Sequence, residues 1–147
     1  MKTAGGRLLH IVSPVKAKLV AEQRKCVGLL ATRGTVAAGI YQRRLGDAME
    51  VIVPTAVEQE WVDTLIRNVK AGRKEFPVGR SVAESLLSRG AERVILGCTE
   101  LPIAFAGSPL EHHCLDATAA LAEACVIACG GRVKGHEATA GSRPSSP

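Results

Sequence analysis

Aromatic side chains are scarce: the 147 residues include one Trp, one Tyr and two Phe, 3% of the chain. A core must therefore come from Val, Leu, Ile and Ala. Recognition of bases by ring stacking would have few rings to use, which argues against a nucleic-acid module. No apolar run approaches the roughly 18 residues of a membrane span. The opening MKTAGGRLLHIVSPVK lacks an apolar block of about seven residues ahead of a small-residue cleavage site, so it is not read as a secretory signal. A cytoplasmic location with reduced thiols is the expectation. The chain has no CxxC pair, no GxxxxGK[ST] and no GxGxxG. Their absence speaks against a zinc ribbon, a thioredoxin-like centre and the standard nucleotide cradles.

What is present fits one soluble domain: 46% hydrophobic and 22% charged residues. The net charge of +5 is carried by the ends. Residues 1–25 hold six Lys or Arg and one acid, residues 131–147 hold three and one, and residues 26–130 hold ten bases against twelve acids. The mildly acidic middle reads as a solvated surface, not a nucleic-acid footprint.

Short apolar runs alternate with helical periodicity. VGLLAT (27–32), MEVIVP (49–54) and RVILGC (93–98) read as buried strands, with a short fourth at 113–115. A helix is expected over 35–46 with Thr35 as its cap, stopped near Gly46. A second is expected over 57–70, with Trp61, Val62, Leu65, Ile66 and Val69 inward and Gly72 closing it. A third runs over 77–89 with Val82, Leu86 and Leu87 inward and Gly90 at its end, and an Ala-rich fourth over 117–129 is capped by Asp116. Fully apolar strands between helices predict an α/β fold, a single Rossmann-like lobe with a short parallel sheet flanked by helices. The lobe is expected to span 1–130, with 131–147, rich in Gly, Ser and Pro, a disordered tail.

Ligands of open parallel sheets sit at the carboxyl ends of the strands. That rule selects the loops Thr32-Arg33-Gly34-Thr35, Pro54-Thr55 and Gly97-Cys98-Thr99-Glu100. Cys98, between a buried strand and a helix start, could have its thiol pKa lowered by the helix dipole and act as nucleophile or base; it could equally be a small core residue. Thr32 and Thr35 offer hydroxyls beside a helix N-terminus suited to a carboxylate. Lys70 reads most simply as a last-turn cation, with a substrate-carboxylate role as the alternative. Cys26 lies at the opposite sheet edge, about 16 Å away at 3.3 Å per residue. Cys125 and Cys129 read as core fillers four residues apart on one helix. Cys114 with His112 and His113 lacks the spacing of a zinc site, and no metal is expected.

The blocks VGLLATRGTVAAGIYQRRL, EVIVPTAVEQEWVDTLI, GAERVILGCTELPIAF and LDATAALAEA, in that order, resemble the second half of the aspartate/glutamate racemase family, over about residues 8–130. Glu100 stands where glutamate racemases usually carry His, which favours the aspartate-type branch. The resemblance implies half of a two-lobe fold and a cofactor-independent racemase in which one thiolate removes the α-proton and a thiol from the other lobe returns it. It implies that Cys98 is one of those thiols. Thr99 would touch the substrate carboxylate or support the thiolate, Thr35 would sit in the substrate loop and Glu100 behind the cysteine. The substrate would be a small amino acid or dicarboxylate.

The family's earlier Cys-Asn-Thr motif has no counterpart here. The chain therefore reads as truncated, lacking the first catalytic half and inactive alone. A complementary N-terminal lobe or a homodimer would have to complete it. Two other readings stand beside this one: a single-cysteine decarboxylase or isomerase of the same superfamily, and a non-catalytic binding or interaction module.

Overall fold

A computed structural model describes residues 8–73 and 77–134. Four strands form one parallel sheet: β1 (Cys26–Leu30), β2 (Glu50–Ile52), β3 (Arg93–Leu96) and β4 (Cys114–Asp116), in the order β2-β1-β3-β4. Val27 pairs with Val51 on one side and Arg93 on the other, and Leu96 pairs with both Leu30 and Asp116. Among the described residues, seven α-helices flank the sheet: α1 (Val12–Ala21), α2 (Arg33–Ala38), α3 (Ile40–Leu45), α4 (Ala56–Lys70), α5 (Pro77–Ser88), α6 (Leu101–Phe105) and α7 (Ala117–Ala128). The α/β lobe with its parallel sheet is the fold the sequence pattern implies.

Strand alternation divides the core in two, since successive side chains point to opposite faces. Val27, Leu29, Ala31 and Ile95 pack with α1, α3 and the start of α7. Leu30, Val94 and Leu96 pack with α4, α5 and α6 on the other face. Gly28 also faces α5: a Cβ there would lie 2.9 Å from Leu86 Cδ1, so glycine sets how closely helix and sheet approach. Gly79 does the same between α5 and α4, where a Cβ would meet Leu65 at 2.6 Å.

Several boundaries differ from the sequence pattern. β1, β2 and β3 end at Leu30, Ile52 and Leu96, because the loop residues that follow curl away to start the next helix. The helix expected over 35–46 is two helices, split at Gly39, whose φ of +63° turns the chain. Its cap is Thr32, not Thr35: the Thr32 hydroxyl accepts from the Thr35 N–H at 3.3 Å. Thr55 caps α4 through a reciprocal box with Glu58. Trp61 points outward, 42% exposed, and Gln59 takes the buried place on that stripe beside Val62, Leu65 and Ile66. Gly90 (φ +105°) follows α5 and Asp116 caps α7 as expected. The fourth strand is shifted by one residue to Cys114–Asp116. Cys125 and Cys129 are exposed, not core: α7 buries only Ala117 and Ala120. Of the expected tail, residues 135–147 lie outside the described residues.

Candidate functional site

The chain leaves β1 in one direction, to β2, and returns past β1 to build β3 and β4 on its other side. The strand order therefore reverses between β1 and β3, and the crevice outside their carboxyl ends is where such sheets hold ligands. The Gly97 N–H donates to the Leu30 carbonyl at 2.8 Å, so the two loops leave the sheet side by side. Thr32 and Thr35 stand on one wall, and Cys98, Thr99 and Glu100 on the other. Thr55 follows β2 at the same edge.

On the first wall, Thr32 Oγ1 and Thr35 Oγ1 are 3.0 Å apart. Thr32 Oγ1 also accepts the Thr35 N–H, so one hydroxyl proton joins the pair and the other is not used within it. Residues of α4 hold this wall from behind. Gln59 Nε2 donates to the Ala31 carbonyl and to Asp63 Oδ1, each at 3.0 Å. Asp63 in turn accepts from the Arg33 N–H and from Arg33 Nε, both at 3.2 Å. A cleft of about 260 Å³ opens beside them, lined in part by Arg33, Val36, Thr55 and Gln59.

On the second wall, Cys98 is half-buried against the α4–α6 side of the core. Its thiol pKa is raised, against the helix-dipole expectation. Burial is the largest cause; the N–H groups of Leu101 and Glu100 pull it down, and the Glu100 carboxylate pushes it up again by hydrogen bond and by charge. Desolvation of a thiolate here outweighs two backbone donors. Glu100 is itself held below the usual carboxylate range: burial works the other way, but its own backbone N–H, the Cys98 thiol, the Thr99 hydroxyl and Lys70 outweigh it. Thr99 Oγ1 donates to Glu100 Oε2 at 3.1 Å, and Lys70 Nζ lies 3.6 Å from Glu100 Oε1. Lys70 is thus the cation of this wall as well as a last-turn residue of α4.

The spatial pairing of Lys70 with Glu100 could not be read from the sequence. Nor were Gln59, Asp63 and Tyr41 singled out there; the available signal was a glutamine on an otherwise apolar helical stripe. Tyr41 is 2% exposed, its hydroxyl has no hydrogen-bond partner, and its phenol is pushed up by burial first and then by charge on Cys98.

The other thiols lie elsewhere. Cys26 starts β1 at the amino edge, Cys114 starts β4, and Cys125 and Cys129 lie on the outer part of α7. Among the described residues, no three His, Cys, Asp or Glu side chains are grouped to hold a metal ion. No described helix is long and apolar enough to cross a membrane.

Residues 3–129 match the model of the Asp/Glu/Hydantoin racemase family. Glutamate racemase of Corynebacterium glutamicum is 27% identical over 97 residues, 65% of this chain and 36% of that protein. Glutamate racemase of Deinococcus radiodurans is 36% identical over 109 residues, 69% of this chain and 36% of its own length. Among solved structures, Picrophilus torridus aspartate racemase superposes with a TM-score of 0.70 at 26% identity, over 90% of this chain and 57% of that one. An aspartate racemase homologue from Pyrococcus horikoshii gives 0.76 at 25% identity, over 86% and 57%. The chain spans about a third of these glutamate racemases and just over half of these structures. With nearly all of its described residues inside the family match, and its sheet and helices shared with racemase structures, the chain belongs to the Asp/Glu/Hydantoin racemase family.

Proposed function

We propose that this chain supplies one thiol-bearing wall of an amino-acid racemase active site of the aspartate type, with Cys98 as an acid–base group. The observation that supports the reading is the position of Cys98 just past β3 at the β1/β3 switch point, in a loop that leaves the sheet beside the one carrying Thr32 and Thr35. The unused hydroxyl proton of the threonine pair and Thr99 receive the substrate α-carboxylate. Lys70, balanced by Glu100, favours a second carboxylate on the side chain. Glu100 in the place after Cys98-Thr99 is what favours aspartate over glutamate.

In this reaction the substrate Cα–H bond breaks. The proton goes to the Cys98 thiolate, and the electron pair moves into the α-carboxylate, which becomes enediolate-like. Donors at that carboxylate stabilise the developing charge. Reprotonation from the opposite face then forms the new C–H bond and inverts the carbon. One thiol reaches only one face, so inversion needs a second acid–base group, ideally matched in pKa so that the roles can exchange. None of the other four thiols stands at this crevice. A second lobe, or a second copy of the chain, therefore provides the opposite thiol. No step calls on a cofactor.

The test is to incubate the purified chain with L-aspartate and L-glutamate in heavy water, following α-deuterium and chirality by NMR. The expected result is no inversion by the chain alone and inversion when a lobe bearing the Cys-Asn-Thr motif is added in trans, abolished in Cys98→Ala. Inversion by the chain alone that is lost in Cys98→Ala would point to a homodimer. Inversion that persists in Cys98→Ala would overturn the assignment.

A further inference from the structure

We infer that Gln59 and Asp63 are positioning residues, a bracket on α4 that fixes the threonine wall in the geometry that accepts a carboxylate. The inference rests on the reading above, in which Thr32 and Thr35 meet the substrate.

Toward its carboxyl end α2 is held by Val36, which packs against the core, and by Gln42 Nε2 and Arg43 Nη1, which donate to the Val36 and Ala38 carbonyls at 3.1 and 2.7 Å; its start has no such contacts. None of the six residues of α2 is buried. A short exposed helix is marginal on its own, because nucleation fixes several dihedral angles for its first hydrogen bond. The segment just before it is instead tied at three points in succession. Gln59 Nε2 takes the Ala31 carbonyl at 3.0 Å. Asp63 Oδ1 takes the Arg33 N–H at 3.2 Å, and Oδ2 takes Arg33 Nε at 3.2 Å. Thr32, the residue between those two peptide groups, supplies the hydroxyl that caps α2 and meets Thr35 Oγ1 at 3.0 Å. Gln59 and Asp63 are themselves joined at 3.0 Å. The bracket therefore sets where the Thr32 hydroxyl points.

A second observation argues that packing alone does not explain Gln59. It is 6% exposed on the stripe that otherwise carries Val62, Leu65 and Ile66. Its carbonyl oxygen is buried without a hydrogen-bond partner. A buried unsatisfied carbonyl is destabilising, and an apolar residue of similar volume would avoid that cost. The amide's gain is the grip of its Nε2 on residue 31 and on Asp63. Aspartate at 63 serves the same end: its two oxygens hold both the backbone and the side chain of Arg33, so the first residue of α2 cannot swing without breaking a charge-assisted contact.

The experiment measures amide hydrogen exchange at Thr35, whose N–H rests on Thr32 Oγ1, and in the same samples the affinity for L-aspartate by NMR titration. In Gln59→Leu and Asp63→Ala, Thr35 exchange should rise about tenfold, the equivalent of one hydrogen bond, while the amides of α4 keep their protection. Affinity for L-aspartate should fall several-fold in both. Asp63→Asn keeps an oxygen for the Arg33 N–H and should recover most of the protection lost in Asp63→Ala, which a merely structural aspartate would not require. If Gln59→Leu does not fold, the Asp63 pair decides alone. Unchanged Thr35 exchange in the variants would overturn the bracket, as would a loosened loop with undiminished affinity. Failure of the underlying reading has a different signature: Thr35→Val binding L-aspartate as tightly as the parent chain, or no response of residues 32–36 to L-aspartate at all. In that event, faster Thr35 exchange in the variants would still support the bracket itself.

Discussion

Cys98 follows β3 and Cys114 opens the neighbouring β4; both are half-buried and pressed against the same α4–α6 side of the core. Burial is the leading influence on each thiol and raises both. They differ in height along the sheet. Cys114 pairs with Val94 inside the sheet, whereas Cys98 comes four residues after Val94, past the carboxyl end of β3 at Leu96. Cys114 therefore enters a strand, and its pKa is pushed up to about 11, with only Arg93 pulling it down and Glu111 adding to the rise. Cys98 has already left its strand, and two N–H groups of the next turn and the Glu100 carboxylate address its sulfur. Burial raises both thiols, and what distinguishes them is the set of groups that acts beside it. The loop after β3 brings two backbone donors and a carboxylate to the Cys98 sulfur, whereas the charges that reach Cys114 are those of Arg93 and Glu111.

Proton transfer separates the two most sharply. Under the proposed function, Cys98→Ala in the chain paired with a lobe bearing the Cys-Asn-Thr motif should lower α-proton exchange by about two to four powers of ten, the range for loss of an acid–base group. Cys114→Ala should leave exchange within a factor of two or so, since its contacts are with packing side chains. Deuterium incorporation from heavy water measures both; equal losses would break the comparison.

Alkaline stability comes next. A thiol whose folded pKa lies above its unfolded value contributes stability that is fully present below the unfolded pKa and is lost as pH rises through the folded one. For Cys114 that window runs from an ordinary thiol value near 9 up to about 11. After allowance for its partial exposure, the loss is on the order of 1–2 kcal/mol. Denaturant midpoints at pH 8 and pH 10.5 should therefore diverge less in Cys114→Ala than in the parent chain.

Two charge substitutions should move the thiols in opposite directions. Glu100→Gln removes two influences that raise Cys98, so its pKa falls and iodoacetamide labelling at pH 7.5 speeds up. Arg93→Gln removes the one influence that lowers Cys114, so its labelling slows. Each change should be about two- to fivefold, because an exposed or half-exposed charge is strongly screened. Mass spectrometry of the labelled peptides reads both, and a shift of the same sign in both variants would refute the assigned causes.

The sheet was legible because its strands are mostly apolar and each runs into a polar loop, and that pattern also exposed Cys98. Parallel pairing then brought the three selected loops to one edge. α1 was not assigned: Pro14 stands in its first turn and masks the spacing of Val12, Val15 and Leu19, although proline is tolerated there. α6, five residues long, is too short to show a period. Cys125 and Cys129 were misplaced because an alanine-rich helix looks apolar on every side, and the packing of α1 and the short β4 against it decides how much of it is covered. Within the site, the threonine pair was visible as loop chemistry. The side chains that hold it come from a different helix, and contacts between residues distant in the chain leave no local periodicity to read.

Gly34 carries a consequence for engineering. Its φ lies outside the left-handed region, and a Cβ added there meets nothing within 4 Å. No turn, close approach or strain calls for glycine at the second position of α2, where alanine would stabilise the chain by about 0.4–1 kcal/mol through a less flexible unfolded state. The vacancy opens beside the threonine wall. A screen selecting only for heat resistance should therefore enrich Gly34→Ala, whereas a screen for turnover in the completed enzyme should discard it. The position would then mark where thermostability and activity select opposite residues.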